Sequence, residues 1–364
     1  MQQTGQTYPI GIDLGPDDLF AVQLERSGRK LRIREAMHRQ LDETADGDPL
    51  SEPALAGVLA GLRNKWAFKG KKVVLRLDSP QVFSFPLQFQ AERGEDPEQA
   101  ILRQSENHIP YALEDAVLDY SCLQPLNSDE PIRYASTVVA TQRDYVGRCL
   151  TIMKRAGLDC EAMEYGAPSL IRLHGHIEGM SEEPVILCYL GRYQTLISFA
   201  SRDRIYAERH LPWGMEKCVD KLKRNIVQDD SRARWLLGSY GLAYGLRSRL
   251  DNKKIEGMDR TTLRAVYQII ISPLEELVHE FQRLFAYIRS DAKQIRFEGA
   301  SLYGHLGAIK GFEEYLAGRI NLPVKRMNPS QHLKKSPKCR LPEADIDSGF
   351  ALALGLSLRR VPWL

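Results

Sequence analysis

Apolar and polar positions near the start of the chain follow a strand pattern, and the pattern returns in the middle. Tyr8 to Leu14 reads as a buried strand and Leu19 to Leu24 as its hairpin mate. Lys30 to Ala36 alternates apolar and charged residues, as a third antiparallel strand would. The segment Val185-Ile186-Leu187-Cys188-Tyr189-Leu190-Gly191 repeats the opening Ile10-Gly11-Ile12-Asp13-Leu14-Gly15, and Thr195 to Phe199 repeats its mate. Aligned on Gly15 and Gly191, the later polar turns coincide too, Arg26-Ser27-Gly28 against Arg202-Asp203-Arg204. A duplicated hairpin of this kind predicts two related halves around a cleft.

Elsewhere the period changes. Pro53 to Trp66 predicts a helix with Leu55, Val58, Leu59 and Leu62 on one face, and Val73 to Leu77 another strand. Asp96-Pro97 reads as the N-cap and first residue of a helix that must stop near Ile109-Pro110, because the residue before proline avoids the helical region. Leu118 to Leu123 and Tyr134 to Ala140 read as strands, which makes 79–144 an inserted subdomain. Arg143 to Ala156 predicts a helix with Val146, Leu150 and Met153 inward, closed by Gly157. Ser272-Pro273-Leu274-Glu275 has the form of a capping box, so a helix is expected to open there, with Leu274, Leu277, Val278, Phe281, Leu284, Phe285 and Ile288 as its core stripe. Gln294 to Glu298 runs into a glycine turn at Gly299-Ala300-Ser301, and the helix after it carries Leu306, Ile309, Phe312 and Leu316. Gly349 to Leu358 is a small-residue helix suited to close packing on a sheet.

Composition narrows the picture. The chain of 364 residues is long enough for two domains. A net charge of +3 argues against a nucleic-acid footprint. The six cysteines form no C-x-x-C pair, which predicts free buried thiols and no zinc or redox framework. With no signal peptide in the first nine residues and no apolar run near the ~20 residues of a spanning helix, the expected location is cytoplasmic. His174-Gly175-His176 reads as a surface loop, and the absence of G-x-S-x-G leaves an esterase triad no anchor. The basic runs at Lys69 to Lys72 and Lys334 to Arg340 read as solvated loops, and Trp213 as packing.

Several segments together resemble the PilM family of type IV pilus assembly proteins, within the actin-like ATPase superfamily and related to FtsA. The most specific is Glu106-Asn107-His108-Ile109-Pro110-Tyr111-Ala112-Leu113-Glu114-Asp115 followed by Leu118-Asp119-Tyr120, similar to the family's E-x-x-I-P-[YF]-P-x-E-[ED]…D-Y. Ile10 to Leu24, Ala156-Gly157-Leu158, Leu211-Pro212-Trp213-Gly214, Asn321 to Val324 with Asn328-Pro329, and Ala353 to Arg359 match other family segments in order. The resemblance implies an α/β fold: a duplicated, ribonuclease-H-like actin fold of two domains with a small inserted subdomain. Its parts would be 1–78 with 145–183 as the first core, 79–144 inserted, 184–215 with 294–364 as the second core, and 216–293 helical, the final helix returning to the first core. It also implies a groove beside the inserted subdomain for the cytoplasmic tail of PilN, an inner-membrane protein, lined by Ile109, Pro110, Tyr111 and Leu113; the alternative reading of these four is an apolar turn that plugs the subdomain core. Contact with the membrane would then be only indirect, through that partner, alongside other pilus or secretion assembly proteins.

Members of this superfamily hold ATP and Mg²⁺ between the halves, and the resemblance places Asp13, Gly15, Gly191, Thr195 and Gly299 around that cleft. The residues themselves oppose it. The first turn is Pro16-Asp17-Asp18, where the family has serines, and Phe20 stands where it has lysine. Pro16 lacks an amide donor. Each aspartate would repel phosphate by about 4 kcal/mol per charge pair at ~4 Å and an effective dielectric of about 20. In the second turn Tyr189 replaces the aspartate, and Gly299-Ala300 replaces a paired glycine. Asp13 is either a Mg²⁺-organising carboxylate or a strand-end turn cap, and Arg192 either a phosphate contact or a solvent-facing or Asp17-paired arginine. The expectation is a pseudo-ATPase scaffold with no catalytic residue, no metal and no cofactor. The alternatives are a surviving Mg-ATP site, an FtsA-like filament former or, more distantly, a sugar kinase.

Overall fold

The structure is a computed structural model. It describes residues 6–28, 30–41, 50, 55–77, 81–92, 94–121, 124–126, 131–202, 205–245, 259–291, 296–305 and 309–359. Of the positions named above, Pro53, Leu123, Asp203, Arg204, Gln294, Ile295 and Leu306 lie outside them, as does Cys122, one of the six cysteines.

The opening meander is β1 (Gln6–Leu14), β2 (Asp18–Ser27) and β3 (Lys30–Gln40), antiparallel throughout. Helix α1 (Leu55–Asn64) buries Leu55, Leu59 and Leu62, and leads into β4 (Lys72–Arg76), which lies parallel to β1. The chain then leaves the sheet for the inserted subdomain. This comprises β5 (Val82–Gln90), α2 (Pro97–Ser105), β6 (Ala116–Tyr120), β7 (Gln124–Pro125) and β8 (Arg133–Gln142). Asp96 caps α2 by accepting from the Glu98 amide, and a single 3₁₀ turn, Glu106–His108, follows before Ile109 turns extended ahead of Pro110. The inserted sheet runs β5-β8-β6, with β7 also on β8.

Return to the first core is made by α3 (Arg143–Arg155), β9 (Asp159–Glu164) and α4 (Gly166–Ile177). Gly157 ends the first of these at φ +69, a left-handed conformation open to glycine. The inward face of α3 is Tyr145, Cys149, Ile152 and Met153, one step round from the expected one, and Leu150 is 46% exposed. His174 lies inside α4 and not in a loop; it is buried, with Nδ1 2.8 Å from the Tyr303 hydroxyl.

The second half repeats the first. Strands β10 (Val185–Leu190), β11 (Thr195–Ala200) and β12 (Ile205–Leu211) form the second meander. Helices α5 (Glu216–Asn225), α6 (Asp230–Ser239) and α7 (Arg260–Asp291) follow, then β13 (Ala300–Gly304) parallel to β10. The chain continues through α8 (Phe312–Ile320), β14 (Val324–Arg326), α9 (Pro329–His332), β15 (Lys334–Lys335), α10 (Glu343–Gly349) and α11 (Ala351–Ser357). The sheets run β15-β3-β2-β1-β4-β9 and β12-β11-β10-β13-β14, so the order is duplicated apart from β15 at one edge. Lys334 and Lys335 thus pair with Arg32 and Ile33 in a sheet, where a solvated loop was expected.

No helix opens at Ser272. The 32-residue α7 runs straight through Pro273. Proline removes one helical N–H and crowds the preceding turn, and the neighbourhood braces it: the Trp213 indole donates to the Pro273 carbonyl at 2.7 Å. The predicted stripe from Leu274 to Ile288 is buried throughout. The local sequence of a cap is also tolerated mid-helix when tertiary packing supports it.

Helices α4 and α11 lie between the two sheets, in one apolar cluster with Val22, Leu24, Leu187 and Leu196. Their approach is close: a Cβ on Gly355 would sit 1.9 Å from the Ser169 carbonyl oxygen, and one on Gly11 2.1 Å from that of Ala353. The final helix is tied to β1 and β2, where Ser357 donates to the Pro9 carbonyl (2.8 Å) and accepts from the Leu24 amide (3.1 Å).

Candidate functional site: the interdomain cleft

Duplication brings the ends of β1 and β10 to face each other, each followed by a tight turn. Gly15 N–H bonds the Asp18 carbonyl at 2.9 Å, and Gly191 N–H bonds the Gln194 carbonyl at 2.8 Å. Asp13, Gly15, Phe20, Gly191, Arg192 and Thr195 line the space between them. Gly299 does not. Strand β13 begins at Ala300 and runs parallel to β10, with Ala300 beside Ile186 and Gly304 beside Leu190. Gly299 thus lies at the far end of the strand, roughly 15 Å from the cleft at ~3.3 Å per residue. The turn that reaches the cleft is Gly304-His305, with Gly304 at φ +92.

The groups that would meet a phosphate are already engaged. Asp13, 3% exposed, forms an ion pair with the Arg76 guanidinium, itself 7% exposed, from the end of the neighbouring strand β4. This ion pair was not among the arrangements expected of it. Asp18 accepts from His38 Nε2 at 2.6 Å. Phe20 stacks on the His38 ring at 4.5 Å and meets Phe350 edge-on at 5.1 Å. A Cβ on Gly349 would come within 2.4 Å of Phe20, so glycine there admits the ring. The lysine position of the family is thereby filled by an aromatic cluster.

The second wall is committed in the same way. Thr195 donates its hydroxyl to the Trp213 carbonyl at 2.7 Å. Tyr189 bonds the Gly349 carbonyl at 3.2 Å, and burial pushes its phenol further up. Arg192 pairs with Glu216 at 3.2 Å, which Arg234 also holds at 2.7 Å; it neither faces solvent nor relies on Asp17. His210 and His305 both line the cleft, and burial lowers each to about 4, leaving them neutral at physiological pH. What remains open is a cavity of ≈ 60 Å³, against about 300–1,000 Å³ for small-molecule sites. Among the described residues no three His, Cys, Asp or Glu side chains group closely enough to hold a metal ion.

Three of the four expected partner-binding residues come together, as a plug on one face of the inserted sheet. Ile109 is buried with Ala116 and Ala140, and Tyr111 and Leu113 pack half-buried against that cluster, while Pro110 is exposed. Tyr111 meets Phe83 edge-on at 5.9 Å, and its hydroxyl is buried without a hydrogen-bond partner. Phe83 is 38% exposed, so this face presents apolar surface beside Pro110. Arg76, His38 and Phe350 were invisible to sequence reasoning. The one signal for Arg76 is a charge ending an otherwise apolar strand.

A family model for the type IV pilus assembly protein PilM matches residues 11–226, more than half of the chain. Among solved structures, the PilM-PilN type IV pilus biogenesis complex aligns with TM-score 0.76 at 22% identity, covering 96% of this chain and 98% of that one. The ethanolamine utilization protein EutJ from Carboxydothermus hydrogenoformans follows with TM-score 0.53 at 11% identity, covering 98% and 91%. MreB5 of Spiroplasma citri bound to AMPPNP has TM-score 0.52 at 12% identity, covering 90% and 92%. The fold is actin-like. No curated protein matches the chain in sequence. Among the described residues no helix is long and apolar enough to cross a membrane.

Proposed function

The chain belongs to the PilM family of type IV pilus assembly proteins, and on that footing we propose that it is a pseudo-ATPase adaptor: an actin-like scaffold that docks on the cytoplasmic tail of a PilN-like inner-membrane protein and binds no nucleotide. One observation carries the nucleotide half. The carboxylate that would organise Mg²⁺ is neutralised by Arg76 inside the protein, and Phe20 occupies the place of the phosphate lysine. ATP would have to break a buried ion pair, displace a packed ring and open a cavity of ≈ 60 Å³. Each of these costs free energy that Asp17 and Asp18, beside the incoming phosphates, only increase.

The partner half rests on kinship and on the inserted subdomain. One similar solved structure is a complex of PilM with PilN. In this chain, Pro110 with the flanking Tyr111, Leu113 and Phe83 offers apolar anchors to an extended tail. Membership of a pilus or a related secretion machine follows from the same reading, with location at the inner face of the membrane through the partner.

Titration calorimetry with Mg-ATP tests the first half. The expected trace is flat, and a micromolar dissociation constant overturns the pseudo-ATPase. For the second half, the folded double variant Tyr111→Ala with Leu113→Asp is expected to lose affinity for the immobilised tail of a PilN-like protein; unchanged affinity removes that surface from consideration. Nucleotide-dependent pelleting on ultracentrifugation would instead point to a filament former.

A further inference from the structure

The inserted sheet uses its two faces differently. Phe85, Leu87 and Phe89 pack with α2 and with the Ile109 plug. Alternate residues Ser84 and Pro86, with Thr137 beside Pro86 on β8, point the other way. That second face, strand β12 and the Glu280 to Tyr287 stretch of α7 enclose a cavity of ≈ 350 Å³. Its size falls in the ~300–1,000 Å³ range of sites that hold ligands.

Two features of the wall are incomplete. First, β12 is the last strand of its sheet, and no further strand lies along its outer edge among the described residues. Such an edge presents backbone donors and acceptors to any extended chain beside it. Second, Glu208 stands in the middle of β12 with its Oε2 closed off from solvent and without a hydrogen-bond partner. Burial pushes its carboxyl up to about 7, with only the Ser84 hydroxyl acting the other way. The nearby cations are committed elsewhere: Arg209 and Arg283 both turn to Glu280, at 3.9 and 2.8 Å. A buried acceptor left without a donor is costly, and Glu208 is among the residues that line the cavity, so a rotation of its side chain would bring this oxygen to a donor supplied there.

We propose that this cavity is a docking site for an extended segment of a partner protein, which adds as a strand to the free edge of β12 and places one arginine or lysine side chain on Glu208. The pocket volume suits a single long side chain, and an incoming cation is the counter-charge that would let Glu208, whose Oε2 has no partner, give up its proton. A guanidinium would meet it with two parallel N–H bonds. Main-chain pairing gives affinity and the pocket gives selectivity, the usual division of labour in strand addition. The site lies on the opposite face of the inserted sheet from Tyr111, so it goes beyond the surface proposed above and is separable from it.

A set of fluorescein-labelled, end-capped peptides of about six residues, the usual strand length, tests this by fluorescence polarisation on the full chain. They alternate threonine and valine, with arginine, lysine, citrulline or glutamate at the centre. The arginine and lysine forms are expected to bind at least about tenfold tighter than the citrulline form. That preference is expected to vanish in Glu208→Gln and to persist in Tyr111→Ala, with thermal melts confirming that both variants fold. Failure of every peptide to bind, equal binding of arginine and citrulline forms, or a preference that survives Glu208→Gln overturns the proposal. So does butylguanidinium competing as well as the unlabelled arginine peptide, since the strand would then contribute nothing. None of these outcomes bears on the Mg-ATP titration.

Discussion

The interdomain cleft and the cavity beside β12 are lined by similar chemistry and treat it oppositely. In the cleft, Asp13 is held by Arg76, Asp18 by His38 and Arg192 by Glu216, and the space that remains is ≈ 60 Å³. At β12, Glu208 has an oxygen with no partner, and ≈ 350 Å³ stays open beside it. Internal pairing closes a site, because charges that satisfy one another need no ligand and draw their walls together. An unpaired buried group leaves a binding potential in place. Ancestral geometry is therefore a poorer guide to where a protein binds than the inventory of unsatisfied groups.

The strongest test of that contrast addresses what holds the cleft shut. Gly355→Val would drive side-chain atoms into the Ser169 carbonyl at the α4–α11 crossing, backbone against backbone, with no flexible tip to yield. We expect loss of the native fold, read as insoluble expression or a missing thermal transition; a normal melt would show that the helices are not so tightly crossed. Next comes the pair at the heart of the cleft. Asp13→Ala strands a buried guanidinium and should cost about 3–5 kcal/mol, whereas Asp13→Leu combined with Arg76→Met should recover much of it. Chemical denaturation of the three proteins decides, and equal stability of the single variant and the parent would dissolve the claim that the carboxylate is spent internally.

A gentler probe reads the other cavity by pH. The Glu208 carboxyl ionises near 7 in the folded chain, above its ordinary 4.5. The folded state therefore keeps a proton that the unfolded state has released between those values. Its contribution to stability is fully present below about 4.5 and is lost as pH rises through about 7, about 3 kcal/mol in all. Relative to the parent, Glu208→Gln should gain thermal stability as pH is raised from about 5 to about 8; a constant difference between the two melts would mean that the group is solvated. The smallest effect belongs to a surface position. Leu150→Ser should change stability by less than about 0.5 kcal/mol, where an inward leucine would cost roughly 2–5 kcal/mol on truncation.

Legibility of this molecule in its sequence followed sequence distance. The two meanders were readable because strand alternation and the glycines at 15 and 191 are local signals, and their duplication implied the facing halves. Pro273 misled because a capping box is also local, while the Trp213 bond that tolerates a mid-helix proline comes from 60 residues away. Gly299 was placed at the wrong end of its strand, since a glycine turn looks alike whether it enters or leaves a sheet. Loss of phosphate chemistry could be seen in Pro16, Asp17 and Phe20, but the replacement could not. Asp13 and Arg76 are 63 positions apart and meet only because β1 and β4 run side by side. Glu208 carried no signal whatever, since an acidic residue in an edge strand ordinarily faces water.

The bonds of Ser357 to Pro9 and Leu24 span 348 and 333 residues. They set an order of events during synthesis. β1 and β2 leave the ribosome well before the helix that covers Gly11, Val22 and Leu24 is made. At roughly 5–20 residues per second, the gap is on the order of 20–70 s. The apolar face of the first sheet is thus completed only after the second half has been made. Sensitivity to any shortening that removes α11 is built into the connectivity.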